Sequence, residues 1–286
     1  MIIPGSASQT LAAALARETG RSLVAVDRRR FPDGEQLVTL GEEPDGPAVV
    51  VASTVSDATF VELLLLQDAA REAGASPVTT VVPYLGYARQ DRQFEPGQPI
   101  SVRAMARAIA SGTDRVITVD PHEPSVLDRF GVPARAVSGA ASLATALPTD
   151  LTDPLFVGPD EGARELVGAV RDRYGTGTVS VLVKTRRSDR EVEIDVRDVS
   201  AADRDVVLVD DIIATGGTMS EAVTALSDRG AERVFATCVH PLLADAAYAD
   251  LSRAGVAAIL GTDTIERPVS RTSVAPVIAE ALAGQP

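Results

Sequence analysis

Two segments of this chain follow the same order. VVVASTVSDATFVELLLLQDAAREAG (49–74) and VVLVDDIIATGGTMSEAVTALSDRG (206–230) each run from an apolar stretch through a short loop into a helix-like segment closed by glycine. Residue 49 aligns with residue 206, an offset of 157. Further strand-like runs are PAVVVAS (47–53), VTTVVPY (78–84), RVITVD (115–120), VSVLVK (179–184), DVVLVD (205–210) and RVFATCV (233–239), with helix-like segments between them. That alternation predicts βαβ units and largely parallel sheets covered by helices on both faces. The internal repeat predicts two tandem doubly wound α/β domains, 1–142 and 143–286, with the junction within AASLATALPTDLTDPLFVG (140–158).

An apolar fraction of 45% is ample for packed cores. The N-terminal stretch lacks a signal-peptide pattern and no apolar run is long enough to span a bilayer, so the expectation is a cytoplasmic protein with no membrane partner. The single Cys238 excludes an internal disulfide, and its VFATCVH setting reads as a buried strand. A net charge of −13 argues against a nucleic-acid partner and means that any anionic ligand is held by local positive groups. Acid excess with little lysine suggests adaptation to high salt; a GC-rich genome would also replace lysine by arginine but would not by itself explain the acid excess. Lys184 is the single lysine among 27 basic residues.

The second copy of the repeat is the more informative. After its strand come Asp210 and Asp211, and then Thr215, Gly216, Gly217 and Thr218 open a helix. A helix N-terminus at the carboxyl end of a parallel strand offers free N–H groups and a positive dipole to phosphate. The glycines allow close backbone approach and the threonines add donors, while the aspartates suit sugar hydroxyls, directly or through a divalent cation. Together they describe a pentose phosphate. The alternative is an ordinary βα turn, which the paired aspartates disfavour. No GxxxxGK[ST] occurs, so the phosphate device is not a P-loop.

The loop resembles the ribose-5-phosphate loop of the type I phosphoribosyltransferase fold. RFPDGE (30–35), PYLGYARQDRQFEPGQPIS (83–101), DPHEP (120–124), VGPDEGARE (157–165), KTRR (184–187) and DDIIATGGT (210–218) narrow the resemblance to the ribose-phosphate pyrophosphokinases. It implies transfer of a diphosphoryl group from ATP to ribose 5-phosphate with Mg²⁺ as cofactor. It implies catalytic roles for Lys184 and Arg186, and ATP contacts from Phe31, Asp33, Gly34, Glu35, Arg89 and Gln90. The ribose 5-phosphate site would comprise Arg186, Asp210, Asp211, Ala214, Thr215, Gly216, Gly217 and Thr218. Ala214 stands where many relatives carry an aspartate, so a side-chain contact to the sugar is lost there.

His122 lies between two prolines just past a strand and reads either as structural or as a divalent-cation ligand. The resemblance makes His122 and Asp160 the Mg²⁺ ligands, whereas His240 reads as structural. Arg89 to Arg92 read either as a solvated charge cluster or as polyphosphate contacts. In similar enzymes the FPDGE loop serves the ATP site of a neighbouring subunit, which implies a homo-oligomer. Two rivals stand: a transferase that consumes phosphoribosyl diphosphate, and a catalytically silent nucleotide-binding paralogue.

Overall fold

The structure, a computed structural model, describes residues 1–43, 46–186, 192–195 and 199–284, and for Val183–Arg186 and Val192–Asp195 it describes the backbone alone. Contacts divide the chain into two units. The first comprises Met1–Ser138, Asp263–Glu266 and Ser273–Pro286, and the second Gly139–Thr262 and Arg267–Thr272. The division thus falls four residues before the expected 142/143 junction, and two C-terminal pieces return to the first unit.

In the first unit the elements run β1 (Ile2–Pro4), α1 (Gln9–Thr19), β2 (Val26–Arg30), β3 (Gln36–Leu40), β4 (Ala48–Val51), α2 (Asp57–Glu72), β5 (Val78–Val82), α3 (Ser101–Ala110), β6 (Arg115–Val119) and β7 (Ala134–Val137). Five strands form a sheet in the order β1-β4-β5-β6-β7, every pair parallel, while β2 and β3 make a separate antiparallel hairpin. Successive residues of β4, Val49, Val50 and Val51, are all buried. Because strand side chains alternate between faces, both faces of this sheet are covered. Val50, Val78, Val82 and Val116 pack with Leu63 and Leu66 of α2 and Ile109 of α3 in one cluster.

The second unit runs α4 (Ala140–Ala146), β8 (Leu155–Gly158), α5 (Arg164–Tyr174), β9 (Thr178–Val181), β10 (Val183–Arg186), β11 (Val192–Asp195), β12 (Asp205–Ile212), α6 (Gly217–Ser227), β13 (Arg233–His240), α7 (Ala247–Arg253), β14 (Ala258–Thr262) and β15 (Ser270–Thr272), after which α8 (Ala275–Ala283) belongs to the first unit. Its sheet has the order β15-β14-β13-β12-β8-β9, again all parallel, with β10 and β11 as a separate hairpin.

The two units repeat each other in register. Ile2 of β1 pairs with Val49 of β4, as Leu155 of β8 pairs with Val206 of β12. The buried stripe of α2 (Leu63, Leu66, Gln67, Ala70) matches that of α6 (Met219, Ala222, Val223, Leu226) position by position. The second unit reverses its strand order between β8 and β12, and at the matching place in the first unit an isolated parallel bridge from Ile2 to Leu23 flanks β1 on the side away from β4. Ligands of open α/β sheets bind at the carboxyl ends of strands flanking such a reversal.

VSVLVK, expected as one strand, is divided. β9 ends at Val181 because its partner β8 ends at Gly158, whose carbonyl accepts from Leu182 N at 2.9 Å. From Val183 the chain pairs with Val192–Asp195 instead, so Lys184 lies on a hairpin and not on the main sheet.

A candidate ribose-phosphate site

Asp210 and Asp211, expected just past a strand, lie within β12, which continues to Ile212 because β13 is long enough to supply partners out to His240. The loop then runs from Ile213 to Gly216, and α6 begins at Gly217. Its backbone is pinned from the turn that follows β13. Ile213 N donates to His240 O at 3.2 Å, Leu243 N to Ile213 O at 2.9 Å, and Ala244 N to Ala214 O at 2.9 Å. That turn includes two non-glycine residues of left-handed backbone, Leu243 (φ 47°) and Asp245 (φ 53°). Nothing in the sequence marks this HPLLAD shelf, since an irregular turn that holds a loop by backbone bonds has no side-chain signature. His240 is buried and its carbonyl serves this shelf, in keeping with a structural role.

Gly216 has φ 77° and ψ −3°, and a Cβ there would sit 3.1 Å from the Ala247 Cβ on α7. Glycine is required twice, for the conformation and for the close approach. The N-cap position of α6 is Gly216, which makes no side-chain cap hydrogen bond. Thr215 and Gly217 are exposed and Thr218 half-buried.

Electrostatics at this edge favour a cation. Burial raises the Asp210 carboxyl well above the usual range, and the charge of Asp211 and, more weakly, Asp160 push it the same way. Asp160 follows β8, across the strand reversal from β12, and its Oδ1 accepts from Gly162 N at 3.0 Å at the head of a short 3₁₀ turn. Among the described residues no group of three or more His, Cys, Asp or Glu side chains gathers to hold a metal by itself. A cage built wholly of protein ligands is therefore not what this edge offers. The crowded carboxylates do fit a hard divalent cation that takes few protein ligands and completes its shell with phosphate oxygens and water.

The other expected residues distribute as follows. Lys184 and Arg186 lie in β10 by backbone, and their side chains fall outside the described residues, as does Arg187 entirely. Counting pairs back from the hairpin turn, Lys184 (opposite Ile194) holds the place that Arg28 (opposite Val38) holds in the first unit. Phe31, Asp33, Gly34 and Glu35 form the exposed tip between β2 and β3, closed by Phe31 N to Glu35 O at 2.8 Å. The Asp33 carboxylate accepts from Glu35 N at 3.1 Å, so it shapes the turn.

Arg89 and Gln90 follow β5, and His122 follows the adjacent β6, all at the carboxyl edge of the first sheet; Arg89 and His122 are exposed. Gly86 admits this loop because a Cβ there would lie 2.2 Å from Thr54 O. Gln90 is tied into the scaffold: its Nε2 donates to Pro99 O at 3.3 Å, and its Oε1 accepts from Ser101 Oγ at the start of α3. Asp120, with φ 31°, turns the chain off β6 toward His122.

A parallel sheet whose strand reversal carries paired carboxylates and an uncapped, glycine-led helix defines a protein of the phosphoribosyltransferase class. Residues 133–269 match the family model of the phosphoribosyl transferase domain. Residues 1–112 match that of the N-terminal domain of ribose phosphate pyrophosphokinase. A ribose-phosphate pyrophosphokinase of Halobacterium salinarum is 57% identical over 283 residues, spanning 99% of this chain and 100% of that protein. One from Methanopyrus kandleri is 45% identical over 286 residues, spanning 99% and 98%. The crystal structure of phosphoribosylpyrophosphate synthetase from Mycobacterium smegmatis aligns with a TM-score of 0.84 at 27% identity, over 99% of this chain and 97% of that one. The chain belongs to the ribose-phosphate pyrophosphokinases.

Proposed function

We propose that the chain transfers the β,γ-diphosphoryl group of ATP to the 1-hydroxyl of ribose 5-phosphate, forming phosphoribosyl diphosphate and AMP. The observation that carries this reading is the uncapped N-terminus of α6, reached through left-handed Gly216 and set beside Asp210 and Asp211. Backbone N–H groups of Gly217 and Thr218, with the Thr215 and Thr218 hydroxyls, bind the 5-phosphate. Asp210 and Asp211 accept from the ribose hydroxyls and so aim O1 along the line of attack. A bond forms between O1 and the β-phosphorus as the bond from that phosphorus to the α,β-bridging oxygen breaks. The oxygen departs on AMP and the hydroxyl proton passes to solvent. Such chemistry depends chiefly on positioning and on stabilising charge.

Lys184 and Arg186 supply positive charge to the transferring phosphates. Lysine offers a compact charge with rotatable donors, whereas arginine presents a rigid fork. Arg89 and the hairpin tip Phe31–Glu35 contact ATP, with Gln90 holding the Arg89 loop against α3. The first unit thereby serves ATP and the second ribose 5-phosphate. His122 and Asp160 are the Mg²⁺ ligands, and the ion neutralises phosphate charge when bound. The working form is a cytoplasmic homo-oligomer in which one subunit's hairpin tip completes a neighbour's ATP site. Among the described residues no helix is long and apolar enough to cross a membrane.

An assay in molar salt tests the activity. AMP formed only when ATP, ribose 5-phosphate and Mg²⁺ are all present is the expected result. Pyrophosphate released from phosphoribosyl diphosphate and a free base, without AMP formation, would replace this reading with a transferase.

A further inference from the structure

The β2–β3 hairpin carries the proposed ATP tip, yet it is not a member of the five-stranded sheet and needs another anchor. Inside the molecule, Glu62 of α2 is only 3% exposed. Its Oε1 accepts from Arg28 Nε at 2.6 Å and from Ser6 N at 2.8 Å, and its Oε2 accepts from Ser6 Oγ. The Arg28 guanidinium, on β2, also donates through Nη2 to Pro4 O at the end of β1 and through Nη1 to Val26 O at 3.1 Å. One buried carboxylate thus joins α2, the hairpin and the loop after β1. A second tie, Gln36 Nε2 to Ala58 O at 3.0 Å, holds β3 to the start of α2.

The repeat gives this brace a meaning beyond packing. Arg28 stands at the hairpin position of Lys184, and Glu62 precedes Leu63 as Thr218 precedes Met219 in the matched helix stripes. The second unit therefore has a lysine and a phosphate-loop threonine where the first has an arginine and a carboxylate of its own. A buried charge is costly unless paired and fully hydrogen-bonded, and a bonded pair fixes one geometry. We infer that Glu62 is an internal anion that holds the first hairpin permanently closed, making Glu62 and Arg28 positioning residues for the ATP-contacting tip. The inference rests on the reading of Phe31–Glu35 as ATP contacts.

Steady-state kinetics of the full-length enzyme test it, using Glu62→Gln, Arg28→Lys and, as control, Phe31→Ala. Both brace variants are expected to raise the KM for ATP about tenfold, leaving the KM for ribose 5-phosphate within twofold and kcat at saturating ATP within threefold. A lesion of the fold alone would lower active fraction and kcat instead of selecting one substrate. Arg28→Lys keeps the charge on a partly exposed residue and so supplies a folded variant should Glu62→Gln not fold. An unchanged KM for ATP in the folded brace variants, with Phe31→Ala raising it, overturns the brace. If Phe31→Ala also leaves that KM unchanged, the ATP role of the tip falls, and the inference falls with it.

Discussion

Helix α2 starts with Ser56 and Thr59 satisfying each other's backbone in a capping box, Thr59 N to Ser56 Oγ at 3.3 Å and Ser56 N to Thr59 Oγ1 at 2.9 Å. The sheet edge beside it is filled by the chain itself. Glu62 takes Ser6 and Arg28, and the hydroxyl of Ser53, at the end of β4, donates to Thr264 O. Ser53 and Thr54 are consequently buried. Its counterpart α6 begins one helical turn later in the repeat, at Gly217, without a side-chain cap and beside two carboxylates. One fold, used twice, differs in how the helix begins: a reciprocal side-chain cap in the first unit, and a left-handed glycine with no side-chain cap in the second.

Four substitutions put that contrast to the test. The largest effect is expected from Lys184→Arg, which keeps the fold and ribose 5-phosphate binding but lowers kcat about 100-fold, the scale of losing one well-placed donor to a developing charge. Near-normal turnover would return this lysine to an accident of composition. Gly216→Asn comes next, since asparagine tolerates left-handed backbone and can cap the helix as Ser56 caps α2. The KM for ribose 5-phosphate should rise about tenfold, with some loss of thermal midpoint because the new Cβ crowds Ala247, and an unchanged KM in the folded variant would mean the N–H groups there bind nothing.

Asp210→Asn tests the strain of the open edge. The folded-state pKa of Asp210 lies above its unfolded value, so the ionised carboxylate costs stability at neutral pH. That cost is absent below the ordinary carboxylate range and grows as pH rises through the raised value. The variant should gain about 1 kcal/mol at pH 7 and nothing near pH 3, while losing activity, as expected where a site trades stability for function. Denaturant titrations at the two pH values measure it, and destabilisation at pH 7 would remove the strain. The smallest effect belongs to Ser56→Ala, which should cost about 1 kcal/mol in chemical denaturation and leave both KM values untouched.

The repeat, the strands and the phosphate loop were legible because apolar runs and glycine placement are local signals. Elements closed by distant residues were not. Glu266 accepts from Thr10 N at 2.6 Å and Leu11 N at 3.0 Å, capping α1 from the far end of the chain. No local pattern announces such a partner, which is why α8 and residues 263–266 were assigned to the second domain by sequence order. VSVLVK reads as one apolar run that puts Lys184 on the main sheet, whereas the break depends on where β8 stops. The ties of Gln90 to Pro99 and Ser101 are not legible locally, because those partners sit past an irregular loop. The role of Glu62 is hidden for a different reason: a glutamate inside the helical stretch VELLLL (61–66) looks like a solvent position until the fold buries it.

Hydrogen exchange with mass-spectrometric readout, with and without ribose 5-phosphate, tests the contrast between the two helix starts most directly. Ligand-dependent protection of the amides at 214–219 with no change at 53–60 is the expected result. Equal protection of both segments, or protection of 53–60 alone, would contradict it.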